Sequence, residues 1–549
     1  MINCGGCGAN MRFDPGSQSL KCDYCGTMAD PKNLNADVVS PESKIRLDNK
    51  NIFEAKIYTC PQCGAELVCD DDTAATFCNY CGASVMFDER TVTMKAPSYV
   101  IPFSKTKEQC QELYGKFIKK AIFAPKYLRE NETVERFRGI YMPYWVYDMA
   151  MDNDVHVAGK KSHRSGDYII TDHYDLATHV RSNSNGVSFD ASAAYADELS
   201  QSIAPYNFKE CQEFSAGYLS GFYVDTADVE AETYLSEAKD AISADVATHL
   251  LQDATFSKYS AKPEIADLGQ RLTVVSEEMA YFPVWFLSTT QNGYVSYAVV
   301  NGQTGKVSAD IPIDYKKYVL GSLIASIPVM LILNLFFTPR PVILAIITAV
   351  FAIIMYVIAN RELNELYTRT HYLDDRGLRN RRNETMPENI SVKGKKPDKV
   401  AASRTSGVFS TIAMILFVGI GVAVEMDMGG LVFAIIMLVM LGSFVAAIVS
   451  SVQKGRVSHI SYKRKKYIFK QPFMEKAKVL VKPLIAMGLC VLLMIINPFM
   501  DMIYYVSVLA IMVLVLTCIW DVVKIHNQLT RRLPKQFGVR GGADNESNF

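Results

Sequence analysis

Eight cysteines near the start of the chain have the spacing of metal ligands. They form two quartets, each made of two CxxC pairs separated by fourteen residues, and the second quartet repeats the first 56 residues later. The first quartet is Cys4, Cys7, Cys22 and Cys25, and the second is Cys60, Cys63, Cys78 and Cys81. Two thiolates three residues apart can bind one ion. The glycine after each pair permits the positive φ that the turn between them requires.

Each quartet predicts a zinc ribbon with one structural zinc ion, so we expect two Zn²⁺ ions per chain. Four protein ligands around an ion leave no open position for catalysis. A redox pair is the alternative for a single CxxC motif, but two identically spaced quartets favour metal. In units of ~30 residues, a metal also supplies stability that a small core cannot.

Four histidines form a second group of residues whose types could bind a metal or carry out acid–base chemistry. They are interleaved with aspartates along one stretch of the chain: His156, His163, His173 and His179 among Asp148, Asp152, Asp154, Asp167, Asp172 and Asp175. A metal or acid–base site could be built from these residues. The polar face of a sheet is the favoured interpretation, because no HExxH-type spacing is present. No P-loop, GxSxG or strand-linked GxGxxG occurs either, so the sequence predicts a protein that is not an enzyme.

The 549 residues carry equal numbers of basic and acidic side chains, but the charges are unevenly distributed. Residues 1–90 have 8 Lys and Arg against 13 Asp and Glu, and residues 91–317 have 22 against 30. Residues 318–549 have 27 against 14. Because nucleic-acid modules need a basic surface to neutralise phosphates, the acidic ribbon segment argues against a nucleic-acid partner. A protein partner suits its charge better.

We predict that residues 96–315 form one acidic α+β domain on the cytosolic side. Helices are expected at 104–121 and 227–252, and a β meander is expected from Pro283 to Ile311, with turns at Asn292-Gly293 and Asn301-Gly302. A YxPxW motif at Tyr141 recurs 140 residues later at Tyr281, which raises the question of duplicated half-domains.

The last part of the chain contains long uncharged apolar stretches. A helix needs ~20 mostly apolar residues to cross a bilayer. By this measure the sequence predicts an α-helical membrane domain of six transmembrane helices in three hairpins: Val319–Phe337, Val342–Ile358, Val408–Val424, Leu431–Val452, Val479–Ile496 and Met502–Trp520.

Basic segments separate the three hairpins and predict the topology. Lys and Arg near helix ends are retained in the cytoplasm, so both termini are expected there, in a multi-pass protein of the bacterial cell membrane. The basic loops are expected to bind anionic lipids. The predicted segments are zinc ribbon 1 (1–31), a linker (32–56), zinc ribbon 2 (57–90), the α+β domain (96–315), the hairpins (318–360, 407–453, 479–521), the basic loops (361–406, 454–478) and a cytoplasmic tail (522–549).

Several short motifs resemble a family of bacterial zinc-ribbon integral membrane proteins of largely unknown function, sometimes labelled primosomal-helicase-like. The matching residues are the CxxCG quartets, Ile101-Pro-Phe103, Phe123-Ala-Pro125, Gly139-Ile-Tyr-Met-Pro-Tyr-Trp145, Ala216-Gly-Tyr-Leu-Ser-Gly-Phe222, Pro283-Val-Trp285 and Val300-Asn-Gly-Gln-Thr-Gly-Lys306. The resemblance covers roughly residues 1–312. It implies a cytosolic zinc-ribbon domain tethered to the membrane, with partners among flotillin-like or phage-shock-type envelope-stress proteins. It does not imply helicase activity.

These observations predict a non-enzymatic scaffold or adaptor that recruits a cytosolic protein to the inner membrane face. The alternative is a channel or exporter with a regulatory zinc-ribbon head. Oligomerisation is compatible with both functions.

Overall fold

A computed structural model describes most of the first 321 residues and the helices near the end of the chain. The described residues are 2–33, 52–60, 66–68, 88–192, 197–253, 256–261, 263–291, 294–321, 324, 354, 356–363, 366, 390–393, 466–469, 473–496 and 500–530.

Residues 2–33 form a small unit with a three-stranded antiparallel sheet. Its strands are β1 (Met11–Asp14), β2 (Ser19–Cys22) and β3 (Met28–Ala29), in the order β1-β2-β3. The β1–β2 hairpin occupies the spacer between the two CxxC pairs, as a spacer of that length permits.

A large, mostly antiparallel sheet makes up the body of the described chain. Its eleven strands are β4 (Ile52–Thr59), β5 (Glu66–Val68), β6 (Asp88–Lys95), β7 (Tyr99–Val100), β8 (Arg138–Ser165), β9 (Tyr168–Asp190), β10 (Gln212–Glu213), β11 (Tyr223–Asp225), β12 (Thr273–Gln291), β13 (Tyr294–Asn301) and β14 (Val307–Ala309). The main order is β10-β7-β12-β8-β11-β5-β4-β6, with β9 paired to β8, and with β13 joining β12 to β14.

Helices cover both faces of this sheet. They are α1 (Lys107–Lys120), α2 (Asn131–Val134), α3 (Asp197–Ser202), α4 (Glu232–Gln252) and α5 (Ile265–Gln270), with 3₁₀ turns at Lys126–Arg129, Phe208–Glu210, Ala216–Leu219 and Phe256–Lys258. The expected helices at 104–121 and 227–252 are α1 and α4. Thr106 and Gln109 form the capping box that starts α1, and the expected meander is β12, β13 and β14.

The core has two parts because successive side chains of β8 and β12 point to opposite faces. Met142 and Tyr144 pack with α4 residues such as Ile242 on one face. Tyr141 and Trp285 pack on the other face, with α1 and the small N-terminal sheet. The N-terminal sheet is therefore part of the main core.

Four elements are described beyond the domain. They are β15 (Ile390–Lys393), which pairs antiparallel with β16 (Lys466–Phe469), and the helices α6 (Phe473–Ile496) and α7 (Asp501–Thr530). Residues 315–321 and 356–363 are also helical.

The expectation of six transmembrane helices is wrong for the structure as described, and with it the assignment of a multi-pass membrane fold. Among the described residues, one helical stretch, Leu509–Thr530, is long and apolar enough to cross a membrane. The apolar part of α6, Val481–Leu493, spans only ~20 Å at 1.5 Å per residue, short of a bilayer core of ~30 Å. The span predicted from the sequence, Val479–Ile496, includes residues on both sides of Val481–Leu493. The other four predicted spans lie mostly outside the described residues.

Candidate metal centre

The first cysteine quartet converges on one point of the small sheet. The sulfur atoms of Cys4, Cys7, Cys22 and Cys25 all lie within 4.8 Å of one another. The Sγ atoms of Cys4 and Cys25 are 3.6 Å apart, and those of Cys7 and Cys22 are 3.5 Å apart. A tetrahedral zinc ion with Zn–S bonds of ~2.3 Å separates its sulfurs by ~3.8 Å, so the donor set fits such an ion.

The two halves of the site are built by the same local backbone geometry. Gly8 and Gly26 each have φ of 76°, the left-handed conformation predicted for the residue after CxxC. The Gly8 N–H donates to the Cys4 carbonyl at 2.8 Å, and the Gly26 N–H donates to the Cys22 carbonyl at 2.9 Å. The site is therefore set by backbone turns and does not depend on long side chains.

The thiols differ in how readily they ionise. Backbone N–H groups of Gly6 and Cys7 lower the pKa of Cys4. The Thr27 hydroxyl, 3.0 Å from the Cys25 sulfur, together with the Thr27 N–H lowers the pKa of Cys25 to about 6. Sequence reasoning did not identify Thr27, which follows the glycine of the second CxxCG motif.

Cys7 is shifted in the opposite direction. The Ala9 N–H favours its thiolate, but the neighbouring sulfurs, that of Cys25 most strongly, raise its pKa to about 12. Four sulfurs this close repel one another when ionised, so full ionisation requires a cation between them. Because all four ligands come from the protein, the site suits a structural ion, as predicted for ribbon 1.

The second quartet is described at one position. Cys60 is fully buried and packs in the main core with Ile101, Ile140 and Met142. Cys63, Cys78 and Cys81 lie outside the described residues. The four N-terminal cysteines are the one group of metal-ligand geometry in the described part of the chain. The second zinc ion stays a prediction.

Ribbon 1 is fixed to the segment at 215–222. The Phe13 N–H donates to the Ser220 carbonyl at 2.9 Å, and the Ser215 hydroxyl donates to the Pro31 carbonyl at 2.5 Å. Gly217 lies so close to Pro31 that an added Cβ would be 2.4 Å from the Pro31 oxygen. The ribbon is therefore held through its backbone against this segment.

Four of the motifs that carry the family resemblance meet in one aromatic cluster beneath ribbon 1. Phe103 stacks on Phe222 at 4.2 Å and meets the edges of Tyr141 and Trp285 at 5.0 and 5.1 Å. Gly139 faces Phe222, and an added Cβ there would lie 2.4 Å from that ring. The glycines and aromatic residues of these motifs therefore serve packing. The sequence shows these motifs, but it does not predict that their side chains meet in the fold.

The four histidines do not form a common site. They lie on the exposed hairpin of β8 and β9, where His179 contacts Asp154 at 2.9 Å and Asp152 at 2.8 Å. His156 contacts a different carboxylate, that of Asp175. The other two are separate again: His163 is 3.7 Å from Asp172, and His173 lies further along β9. The favoured interpretation of these residues as a polar sheet face matches this arrangement.

Comparison with known proteins gives one distant relative. The chain is 29% identical over 318 residues to YdjG of Bacillus subtilis (strain 168), whose name describes it as uncharacterised. The match covers 57% of this chain and 90% of YdjG. No family model matches the chain, and no solved structure matches it. These findings agree with a family of unknown function and leave the zinc-ribbon family unconfirmed.

Proposed function

We propose that the protein is a non-enzymatic adaptor that is attached to the bacterial cell membrane and presents a zinc ribbon to a cytosolic protein partner. The observation that carries this proposal is a set of buried hydrogen bonds, here named the clasp, that joins the last turns of α7 to the main sheet and to Ile313. Through that clasp, a membrane helix and the ribbon belong to one connected structure.

The clasp consists of hydrogen bonds that join the last turns of α7 to β13 and to Ile313, which follows β14 in the chain. Asn527 accepts from the Ile313 N–H at 2.6 Å and donates to the Ile313 carbonyl at 2.9 Å. The Ser296 hydroxyl donates to the Thr530 carbonyl at 2.9 Å. These groups are buried, so the docking is specific in geometry and costly to break.

The remainder of α7 exposes the apolar surface expected of a membrane helix. Its exposed large apolar side chains are Met502, Ile503, Val506, Leu509, Met512, Val513, Leu516 and Trp520. The polar residues of α7 are concentrated after Trp520, where the helix meets the domain. A bilayer would cover α7 from Met502 to Trp520, and the last turns of the apolar stretch Leu509–Thr530 would lie outside the bilayer, in the clasp.

Ribbon 1 offers an exposed face for a partner. Tyr24, inside the second CxxC turn, is 84% exposed, and Met28 on β3 is also exposed. The other large apolar side chains of the ribbon, such as Phe13 and Leu20, are buried in the core. An aromatic residue held on a metal-fixed turn is a suitable anchor for protein binding.

Further details of the proposal come from the family resemblance, which implies the partners, and from the charge pattern of the sequence. Partners of the flotillin-like or phage-shock type, cytoplasmic chain ends and anionic lipids at the basic loops remain part of it, and oligomerisation is compatible with it. No catalytic role is proposed, because a four-cysteine site leaves its ion no open position. A channel or exporter needs several membrane helices, and the described part of the chain supplies one.

Co-purification of the full chain in detergent tests the proposal. Exchanging Tyr24 and Met28 for Ser should remove a protein that accompanies the wild type, while zinc content stays unchanged. The matched control exchanges Tyr168 and Ile169 for Ser, since these are also exposed apolar residues but lie at the tip of the β8–β9 hairpin. Unchanged co-purifying proteins in both variants would contradict a docking role for ribbon 1.

A further inference from the structure

The acidic domain carries one strongly basic corner. The chain from Lys116 to Arg129 has five Lys and Arg residues and no Asp or Glu, although residues 91–317 as a whole carry an excess of acids. This segment is the end of α1, the turn after it and the 3₁₀ turn at Lys126–Arg129. Such a concentration of positive charge on an acidic domain favours contact with an anionic surface.

Three contacts fix this corner beside the helix that starts at residue 315. The Asp314 N–H donates to the Phe123 carbonyl at 2.8 Å, and the Phe123 ring meets the edge of Tyr318 at 5.1 Å. Lys317 donates to the Ala124 carbonyl at 2.6 Å. The corner and the start of that helix therefore form one surface.

The same surface lies at the level where the apolar part of α7 ends. Tyr315 stacks on Trp520 with ring centroids 4.4 Å apart. Trp520 is the last exposed large apolar residue of α7, and the next residue, Asp521, pairs with Lys482 at 2.5 Å. Aromatic rings followed by charged groups mark the boundary between hydrocarbon and headgroups.

The side chains of the corner combine free cations with exposed apolar groups. Lys119, Lys120, Lys126 and Lys316 form no salt bridge with any described residue and are exposed. Ile122 is 68% exposed, and Val319 and Leu320 of the neighbouring helix are exposed as well. The other basic groups have structural partners: Lys116 pairs with Glu112, and Arg129 donates to the carbonyls of Ile118 and Ala121.

We propose that this corner, defined by Lys119, Lys120, Ile122, Lys126 and Lys316, binds the anionic lipid headgroups of the bilayer that holds α7. The lysines lie among the phosphates, and Ile122 enters the boundary between headgroups and acyl chains. The inference rests on the membrane attachment in the proposed function and adds a binding site to it. The basic segments anticipated from the sequence, 361–406 and 454–478, are different parts of the chain.

The test uses the full chain reconstituted in vesicles of phosphatidylcholine, with or without about 30% phosphatidylglycerol. Amide hydrogen exchange of residues 119–126 is measured in both. We expect exchange to be about tenfold slower in the anionic vesicles, because four lysines contribute to headgroup binding. The difference should disappear when Lys119, Lys120, Lys126 and Lys316 are exchanged for Gln.

A matched variant keeps the comparison specific. Exchanging Lys160, Lys161 and Arg164 for Gln also removes exposed positive charge, but at the distant tip of the β8–β9 hairpin, and should leave the tenfold difference in place. Inorganic phosphate added to neutral vesicles should give no protection, since the site is proposed for a bilayer surface. Equal exchange of the wild type in both vesicles, loss of the effect in the hairpin variant, or protection by free phosphate would each overturn the inference.

Alkaline carbonate extraction separates this inference from the proposal on which it rests. Wild-type protein that stays embedded in both vesicles but shows no anionic-lipid effect would overturn the lipid site alone. Release of the wild type by carbonate would overturn the membrane attachment and the inference together.

Discussion

Trp145 and Trp285 hold equivalent positions in the two halves of the domain. The Trp145 indole donates to the Val229 carbonyl at 2.8 Å, shortly before α4 begins. The Trp285 indole donates to the Lys105 carbonyl at 2.9 Å, shortly before α1 begins. Each tryptophan thus ties a central strand to the start of a helix.

The strands around these residues repeat the same relationship. Tyr141 lies opposite Pro283, and Pro143 lies opposite Tyr281, so the two YxPxW motifs face each other in antiparallel register. β7 runs parallel to β12 just as β11 runs parallel to β8. Each half therefore contains a short strand, a helix and a long central strand, which is the arrangement expected of duplicated half-domains.

Replacing either tryptophan by Phe should destabilise the domain to a similar extent. Each substitution removes one hydrogen bond and leaves space beside a carbonyl, which costs about 2 kcal/mol. Thermal or chemical unfolding in detergent measures the loss. Trp520→Phe is the control, because a Phe can still stack on Tyr315 and no domain contact is lost. Strongly unequal effects of the two domain variants would contradict their equivalence.

Gly217→Ala should separate ribbon 1 from the domain. The new Cβ would lie 2.4 Å from the Pro31 carbonyl oxygen, a backbone atom that cannot move aside. Such overpacking costs about 1–3 kcal/mol. We expect ribbon 1 to be released faster by proteolysis, with retention of the metal. Gly115→Ala in α1 is the control: its added Cβ meets no atom within 4 Å, and Ala favours a helix. Equal proteolysis of both variants would show that the contact with Pro31 does not hold the ribbon.

Cys7→Ser should lower the zinc content by one ion per chain, because three sulfurs no longer complete the site.

Lowering the pH should release zinc, since protons compete for the thiolates. Zinc uptake by the first quartet at pH 7 should release fewer than four protons, because the Cys25 thiol, with a pKa of about 6, is already mostly ionised. Elemental analysis and calorimetry in two buffers measure these quantities. Ser17→Ala on the adjacent hairpin should leave the zinc content unchanged, and an equal loss there would argue against a site made of the quartet.

Much of ribbon 1 could be predicted from the sequence, because its geometry is local. The CxxCG spacing determines where Gly8 and Gly26 turn and which four sulfurs meet. The capping box at Thr106 located α1 for the same reason. The features that the sequence predicts correctly are those whose geometry is determined by residues a few positions apart in the chain.

Long-range relationships were not accessible in this way. The contact of Phe13 with Tyr218, and the burial of Cys60 among strands of the main sheet, depend on residues far apart in sequence. The predicted span Val479–Ile496 failed for another reason. Hydropathy counts apolar residues along the chain, whereas the apolar part of α6, Val481–Leu493, is too short to cross a bilayer and contains Lys482 and Pro483.

His179 should have a raised pKa because it lies between Asp154 and Asp152, and both ring nitrogens need a proton to donate to them. A raised folded-state pKa stabilises the hairpin fully below the unfolded value of ~6.5, and this contribution is lost as pH rises through the folded value. Histidine NMR measures the titration. Exchanging Asp152 and Asp154 for Asn should lower the pKa, while the same change at Asp167 and Asp172 should not. If the pKa of His179 is the same in the variant with Asp152 and Asp154 replaced as in the wild type, the result would contradict the contact.

Asn527→Ala should release the end of α7 from the domain. The side chain contacts both the N–H and the carbonyl of Ile313, so its removal leaves two buried backbone groups without partners. The expected cost is about 2–4 kcal/mol, confined to the clasp. Amide exchange at Ile313 should accelerate, while exchange in β8 should not change. Gln528→Ala is the matched control, since Gln528 is the next residue on the same helix and is exposed. If the Ile313 amide exchanges in both variants as it does in the wild type, the clasp does not connect the helix to the sheet, and the adaptor proposal loses its structural basis.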